Sequence, residues 1–328
     1  MEDIKQQITD DMISRLVKAM DEGVPPWSKS WSSGQPPFNA SSGKAYQGIN
    51  FLILLLHMQA HGGDARHLTY KQAQHMGLQV RRGERGARVI KLVEVERKRA
   101  KQAAGTDGEI VAEENGKALV LKAYTVFNAA QIEGMAPMPV RECDVKPAEA
   151  VEAIVWGLQD DGMKLNFGHY QPAYDLRRDE IRMPSVEQFH SLDDFHSTIL
   201  HECSHASGHG KRLARPHMHA RFGSTEYSRE ELRAELASAF MQGIIGLPPG
   251  QTMIESHASY LSSWLEVLRN DKNEIFRAAA DAQRICDYLS ERALNARPRV
   301  EQEKCSGPEP APEPEPVLVS RRGWGVRI

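Results

Sequence analysis

Long hydrophobic runs are missing from this 328-residue chain. The greasiest stretch, Ile49-Asn-Phe-Leu-Ile-Leu-Leu-Leu56, is well short of the ~20 apolar residues that a membrane span needs. Cysteine is scarce. The four, at positions 143, 203, 286 and 305, show no CxxC spacing, so neither a disulfide framework nor a cysteine zinc finger is expected. The first residues, MEDIKQQITDD, are acidic and polar, unlike a secretory leader, and a cytoplasmic protein with reduced thiols is the reading they support. There is no G-x-x-x-x-G-K-[ST] and no G-x-G-x-x-G between a strand and a helix, so nucleotide-phosphate chemistry has no support. Charge of one sign does not dominate either: 41 Lys and Arg stand against 44 Asp and Glu. What the chain does have, 41% hydrophobic residues, suffices for real cores, and its length suggests two domains.

The near-neutral balance hides one basic segment. Residues 81–101 carry nine Lys or Arg and three acidic groups, a local surplus that could meet phosphate. Around it the pattern is mixed. Ile4, Ile8, Met12, Leu16 and Met20 fall four apart and predict an amphipathic helix over 4–22, stopped by Gly23 and Pro25-Pro26. Residues 49–58 read as a buried helix, and Thr69 as the N-cap of a short one from Tyr70 to Met76. Strands are expected at 89–95 and 118–127, with 100–117 as the loop between them. An α+β domain over 1–134, a Pro-bearing linker over 135–146 and a mainly helical domain over 147–295 follow. In the last, short strands near 164–167, 173–174 and 180–183 precede helices at 192–207, 227–244, 254–270 and 272–293. The Pro- and Glu-rich tail from 296 has nothing to bury.

His201-Glu202-Cys203-Ser204-His205 fits H-E-x-x-H. On a helix, residues four apart share a face, so both imidazoles can meet one ion, and Zn²⁺ suits them. Glu202 can reach a water beside that ion without binding the ion, and serve as general base. Seven of the 13 histidines lie in 190–219, and this local bias has to be weighed against the motif. Lys211 stands where a third histidine of H-E-x-x-H-x-x-G-x-x-H would be, which leaves His209 structural or cleft-lining. A third ligand should come from a later helix, where Glu231 and Glu235 flank the apolar stripe Leu232, Leu236 and Phe240. Either could bind. The run E-x-x-A-E resembles the E-x-x-A-[DN] of several zincin peptidases, and that resemblance implies Glu231 as ligand and Glu235 behind a ligand histidine. Mn²⁺ or Co²⁺ would also fit such donors. Cys203 lies between the ligands without a His-Asp partner, so it reads as packing.

In the first domain, Arg81, Arg82 and Arg85 crowd a Gly-containing turn. Lys44 and Lys71 add charge, and Trp27, Trp31, Tyr46 and Tyr70 offer stacking faces. Aromatics among cations are the chemistry that holds single-stranded nucleic acid. Solvated edge charges and core tryptophans are the plainer reading.

Several motifs occurring in order carry a resemblance. Gly23-Val-Pro-Pro-Trp-Ser-Lys-Ser-Trp31, Gly43-Lys-Ala-Tyr-Gln-Gly-Ile-Asn50, Leu68-Thr-Tyr-Lys-Gln-Ala73, Gly77-Leu-Gln-Val-Arg-Arg-Gly-Glu-Arg-Gly86 and Tyr124-Thr-Val-Phe-Asn128 resemble the N-terminal domain of the ArdC antirestriction family. Asp179-Glu-Ile-Arg-Met-Pro184, the H-E-x-x-H segment, Arg212-Leu213 and Glu230-Glu-Leu-Arg-Ala-Glu235 resemble its zincin-type C-terminal domain. The first domain also resembles part of the TraC-type plasmid primases. The resemblance implies a single-stranded-DNA-binding domain with an antiparallel sheet, joined to a zinc peptidase domain. It implies a mobile-element protein that helps DNA entering by conjugation to escape restriction, with an unknown protein substrate; the short apolar runs give no expectation of a membrane partner. Two alternatives remain: a DNA-binding protein whose metal is only structural, and a metalloprotease that binds no nucleic acid.

Overall fold

The computed structural model describes residues 4–21, 35–105, 108–138, 146–248, 250 and 260–296. The first half runs α1 (Ile4–Asp21), β1 (Phe38–Asn39), α2 (Gly48–Ala60), β2 (Arg66–Thr69), α3 (Tyr70–His75), β3 (Gln79–Val80), β4 (Ala87–Glu96), α4 (Ala100–Ala104), β5 (Gly108–Glu114), β6 (Lys117–Asn128) and β7 (Ile132–Glu133). The second half runs α5 (Pro147–Asp160), β8 (Lys164–Phe167), β9 (Ala173–Asp175), β10 (Glu180–Met183), α6 (Leu192–Ala206), α7 (Thr225–Ile245), α8 (Leu261–Asn270) and α9 (Glu274–Asn295). The expected mixture of an α+β front and a helical back is present.

The twelve residues of β6 organise the front sheet. β4 pairs antiparallel along one of its edges over Ala87–Glu96, while β2 and β5 share the other edge, and β1 adds in parallel beside β2. The loop expected over 100–117 is in fact a short helix and a strand, α4 and β5. Asn115 and Gly116 both take positive φ, 48° and 76°, which is the two-residue hairpin turn that Asn-Gly favours. The charged run around the dipeptide obscures it in the sequence. Thr69 caps α3 as expected. Its Oγ1 accepts from the Gln72 N–H at 3.2 Å, and Gln72 Oε1 accepts from the Thr69 N–H at 2.9 Å. Asn50 of α2 seals the outer edge of β4. Its Oδ1 accepts from the Ile90 N–H at 2.9 Å and its Nδ2 donates to the Ile90 carbonyl at 2.7 Å.

Behind this sheet the two halves share one core. Met12 and Leu16 of α1 and Phe51, Leu52 and Leu55 of α2 lie in the same buried cluster as Ile154, Leu200, Leu232, Phe240 and Ile285. The Phe51 and Phe240 rings are 4.3 Å apart, so a side chain of α2 meets one of α7. The Gly48 N–H donates to Gln283 Oε1 of α9 at 3.0 Å. Gly157 of α5 lies so close to α9 that a Cβ there would meet the Arg292 carbonyl at 2.6 Å. Each large side chain fully buried in this way contributes roughly 1.5–3 kcal/mol.

Two histidines are buried between α2 and the sheet. His57 Nδ1 lies 3.4 Å from His67 Nε2, and Asn128 Nδ2 lies 3.3 Å from the same His67 nitrogen. Burial lowers His57 to about 4 and His67 to about 3, so both are neutral.

Two outcomes follow from this packing. Phe51→Ala should cost about 3–5 kcal/mol and lower one shared unfolding transition. Hydrogen exchange in rising urea checks this, and separate transitions for 48–128 and 147–295 would contradict it. The buried histidines make the fold acid-labile. Below an unfolded-state value near 6.5, the unfolded chain binds protons that the folded chain refuses until about pH 4, so stability falls as pH drops through that window. His67→Gln should flatten this slope, as read from denaturant midpoints between pH 7 and 4; an unchanged slope would count against it.

Candidate metal centre

Two helices bring the candidate ligands together. α6 starts at Ser191, whose side chain accepts from the Asp194 N–H, and buries Ile199, Leu200, Cys203 and Ala206. That face fixes the rotation of the helix and turns His201 and His205 inward. α7 starts at Ser224, which caps the Tyr227 N–H, and ends at Gly246 in a left-handed conformation. Its buried stripe of Leu232, Leu236 and Phe240 places Glu230, Glu231 and Glu235 inside the protein too.

The geometry is a convergence of acceptors. His201 Nε2 and His205 Nε2 are 3.1 Å apart. Glu231 reaches both: Oε1 is 3.5 Å from His205 Nε2 and Oε2 is 3.8 Å from His201 Nε2. Each imidazole turns its other nitrogen to a carboxylate, His201 Nδ1 to Glu235 Oε1 at 3.4 Å and His205 Nδ1 to Glu230 Oε1 at 3.4 Å. With protons on the two Nδ1 atoms, both Nε2 lone pairs and the Glu231 oxygens face one point. Glu231 Oε1 is buried and makes no hydrogen bond. Such a group of acceptors is stable only around a positive charge, and a divalent cation fits the donor set. His201, His205 and Glu231 are the one group of three or more such side chains, among the described residues, able to hold a metal ion. The carboxylates draw positive charge to the same point, whether as a proton on His205 or as an ion. Burial works against a charge on His205, yet Glu231 and Glu230 outweigh it and lift the imidazole to about 10.

Glu202 is buried beside these groups without belonging to the donor set. Burial and the nearby Glu231 charge push its carboxyl up to about 7, against the opposing effects of His205 and of a hydrogen bond from the Tyr174 backbone N–H on β9. β9 is an edge strand of the sheet β8-β10-β9. Arg212 latches this edge to the end of α6: its Nε donates to the Ala206 carbonyl at 2.7 Å and its Nη2 to Tyr174 Oη at 3.1 Å, and it also pairs with Asp179. Tyr174 Oη in turn donates to Asp179 Oδ1 at 2.7 Å. The Asp179 and Arg212 motifs are therefore two ends of one clasp.

Two residues of the centre are missed by sequence reasoning. Glu230 precedes the candidate ligand Glu231 and has the pattern of a solvated acidic face. Arg215 lies in a stretch with no helical or strand period. Arg215 is buried and pairs with Glu230 through Nε and Nη2. Arginine beside Glu230 outweighs burial and holds that carboxyl at about 2. His209 lies outside the group, with Nδ1 accepting from the Lys211 N–H at 3.2 Å. Cys203 is fully buried, and burial pushes its thiol far up, as packing requires. Tyr227 is buried with its Oη 3.2 Å from Tyr260 Oη and close to Glu231.

The candidate nucleic-acid residues scatter over the first half. Trp27 and Trp31 lie outside the described residues. Lys44, Lys71, Arg82 and Arg85 are exposed, as is Tyr70 at 43%. Arg81 is held by Glu84 at 2.7 Å and by the Ala130 carbonyl. Tyr46 is half-buried, set edge-on to His67, and accepts from Asn39 Nδ2 at 3.3 Å.

Comparison with known proteins matches two families to separate parts of the chain. Residues 2–127 match the family described as the N-terminal domain of anti-restriction factor ArdC, and residues 149–281 match the zincin-like metallopeptidase family. The chain is 38% identical to a DNA primase TraC of Escherichia coli over 307 residues, but spans only 27% of that protein. It is 34% identical to protein y4eC of Sinorhizobium fredii (strain NBRC 101917 / NGR234), covering 90% of this chain and 94% of that one. Among solved structures, the metal-free antirestriction ArdC protein of plasmid R388 matches with a TM-score of 0.69 and 32% identity, over 88% of this chain and 99% of that one. The Mn(II)-bound structure of the same protein matches with a TM-score of 0.69 and 33% identity, over 89% and 99%.

Proposed function

This chain belongs to the ArdC antirestriction family, and from that premise we propose that it is a single-stranded-DNA-binding antirestriction protein whose zincin-like domain is a zinc-dependent peptidase. One observation carries the hydrolytic half: the buried convergence of His201, His205 and Glu231, with the Glu202 carboxyl beside them. The Nε2 atoms of both histidines and the Glu231 carboxylate would hold the metal. Zn²⁺ suits two imidazoles and a carboxylate; Mn²⁺ or Co²⁺ would be accepted too, and the similar R388 protein has been solved with Mn(II). The bound ion supplies a Lewis acid that acidifies water and polarises a peptide carbonyl.

Glu202 does the proton work. A carboxyl raised to about 7 holds or releases a proton near neutral pH, so it can take one from the attacking water and return it to the departing amine. The Tyr174 N–H fixes its orientation. Glu230 accepts from His205 Nδ1, and Glu235 lies 3.4 Å from His201 Nδ1, which turns the Nε2 atoms of both rings toward the ion's place. The candidate donor set has three protein side chains, the number that catalytic zinc sites use.

A second reading has its own support. His201, Glu202, His205 and Glu231 are all at most 3% exposed as residues, which gives a peptide little access to them. Glu202→Gln separates the two. The peptidase reading expects this variant to keep metal and single-strand binding but to lose cleavage and protection from restriction during conjugation. Retained protection would leave the metal a structural role.

For the first half, the ArdC-type domain points to nucleic acid. Exposed Arg82, Arg85, Lys44 and Lys71 supply charge, and Tyr70 a stacking face. Trp27, Trp31, Tyr46 and Arg81 complete the proposed set. Replacing Arg82 and Arg85 by Ala should weaken binding to a labelled single-stranded oligonucleotide. It should also reduce the slope of log affinity against log salt by about 0.7 for each phosphate that is no longer neutralised. Anisotropy titrations at several salt concentrations measure this, and an unaltered slope would remove both residues from the interface.

A further inference from the structure

The two imidazoles are backed differently. His201 Nδ1 faces Glu235, one turn beyond Glu231 on α7. His205 Nδ1 faces Glu230, and Glu230 is itself gripped by a buried arginine. Arg215 reaches Glu230 with Nε at 3.1 Å and Nη2 at 2.5 Å. Its other bonds go to the end of the helix that carries His205: Nη1 donates to Ser207 Oγ at 2.7 Å, and Nη2 also donates to the Ser204 carbonyl at 2.8 Å. One cation thus ties a carboxylate of α7 to the last turn of α6. Space for it depends on Gly208, where a Cβ would lie 2.7 Å from Arg215 Cζ and 2.4 Å from Met218 Sδ.

We propose that Glu230, locked by Arg215, is the positioning residue of His205, setting its tautomer and ring orientation so that Nε2 is presented to the metal. This rests on the metal-site reading above and extends it to residues that do not touch the ion. A buried ion pair alone is a weak stabiliser. The placement of this one is specific. Glu230 Oε1 is the atom that both Arg215 and His205 Nδ1 approach, so the carboxylate cannot swing away from the imidazole without leaving the guanidinium. Carboxylates that orient ligand histidines govern metal affinity by about 10–100-fold.

The test uses the full chain, stripped of metal and titrated with Zn²⁺, and separately with Mn²⁺, against a chelating indicator. Glu230→Gln keeps size and an acceptor oxygen and should weaken binding about 10–100-fold. The double variant Arg215→Met with Glu230→Gln leaves no orphaned charge, so it should fold while its affinity stays reduced. Glu274→Gln is the control: that carboxylate is equally buried and pairs with Arg233 at 2.7 Å, away from the histidines, and its loss should leave metal affinity unchanged. Wild-type affinity in the double variant overturns the proposal while leaving the metal site standing. Equal weakening by Glu274→Gln also overturns it, because the effect would then be general destabilisation. Failure of the wild-type protein to bind either ion removes the underlying metal-site reading, and the proposal with it.

Discussion

Everything in the second half of this protein is arranged around an electrostatic demand. Two imidazole nitrogens and a carboxylate point at one another inside the fold, with Glu202 alongside and two further carboxylates behind the rings. Acceptors cannot satisfy acceptors, and these are buried. The demand is met only by positive charge. The caps, stripes and clasps of the surrounding helices hold the acceptors in place against their mutual repulsion.

That arrangement reaches into the first half. α7 carries the three glutamates at one end and Phe240 at the other, where it meets Phe51 of α2. α1 and α2 sit in the same buried cluster as the helices of the metal centre. The two family-matched regions are thus distinct in topology, one built on a sheet and one on helices, but continuous in their interior. The candidate nucleic-acid residues lie on the turns and the short helix that decorate the sheet. The proposed strand-holding surface and the candidate metal centre therefore stand on one shared core.

Much of this is legible in the residues, for reasons that can be named. His201 and His205 declare themselves because a period of 3.6 turns a spacing of four into a shared face. Glu231 is visible only as one of a pair with Glu235, since spacing alone does not say which carboxylate points further in. Glu230 is hidden because adjacent glutamates on a helix usually mean solvent, and here nearly every residue of α7 from Glu230 to Gly243 is buried. Arg215 is hidden because its role depends on α7, fifteen residues on, and no local pattern records that pairing. In the first half, Thr69 and Gln72 spell out a capping box, while the Asn115-Gly116 turn is masked by its charged neighbours. The shared core leaves no local mark at all, since Phe51 and Phe240 are joined only by tertiary packing.

Anomalous diffraction at a metal absorption edge, from crystals of the protein grown with Zn²⁺, puts the His201, His205 and Glu231 centre to its plainest test. One strong peak is expected about 2.0–2.2 Å from the Nε2 atoms of both histidines and from a Glu231 oxygen. A map with no peak there, or with the ion bound by other side chains, would contradict the metal centre and the peptidase chemistry that depends on it.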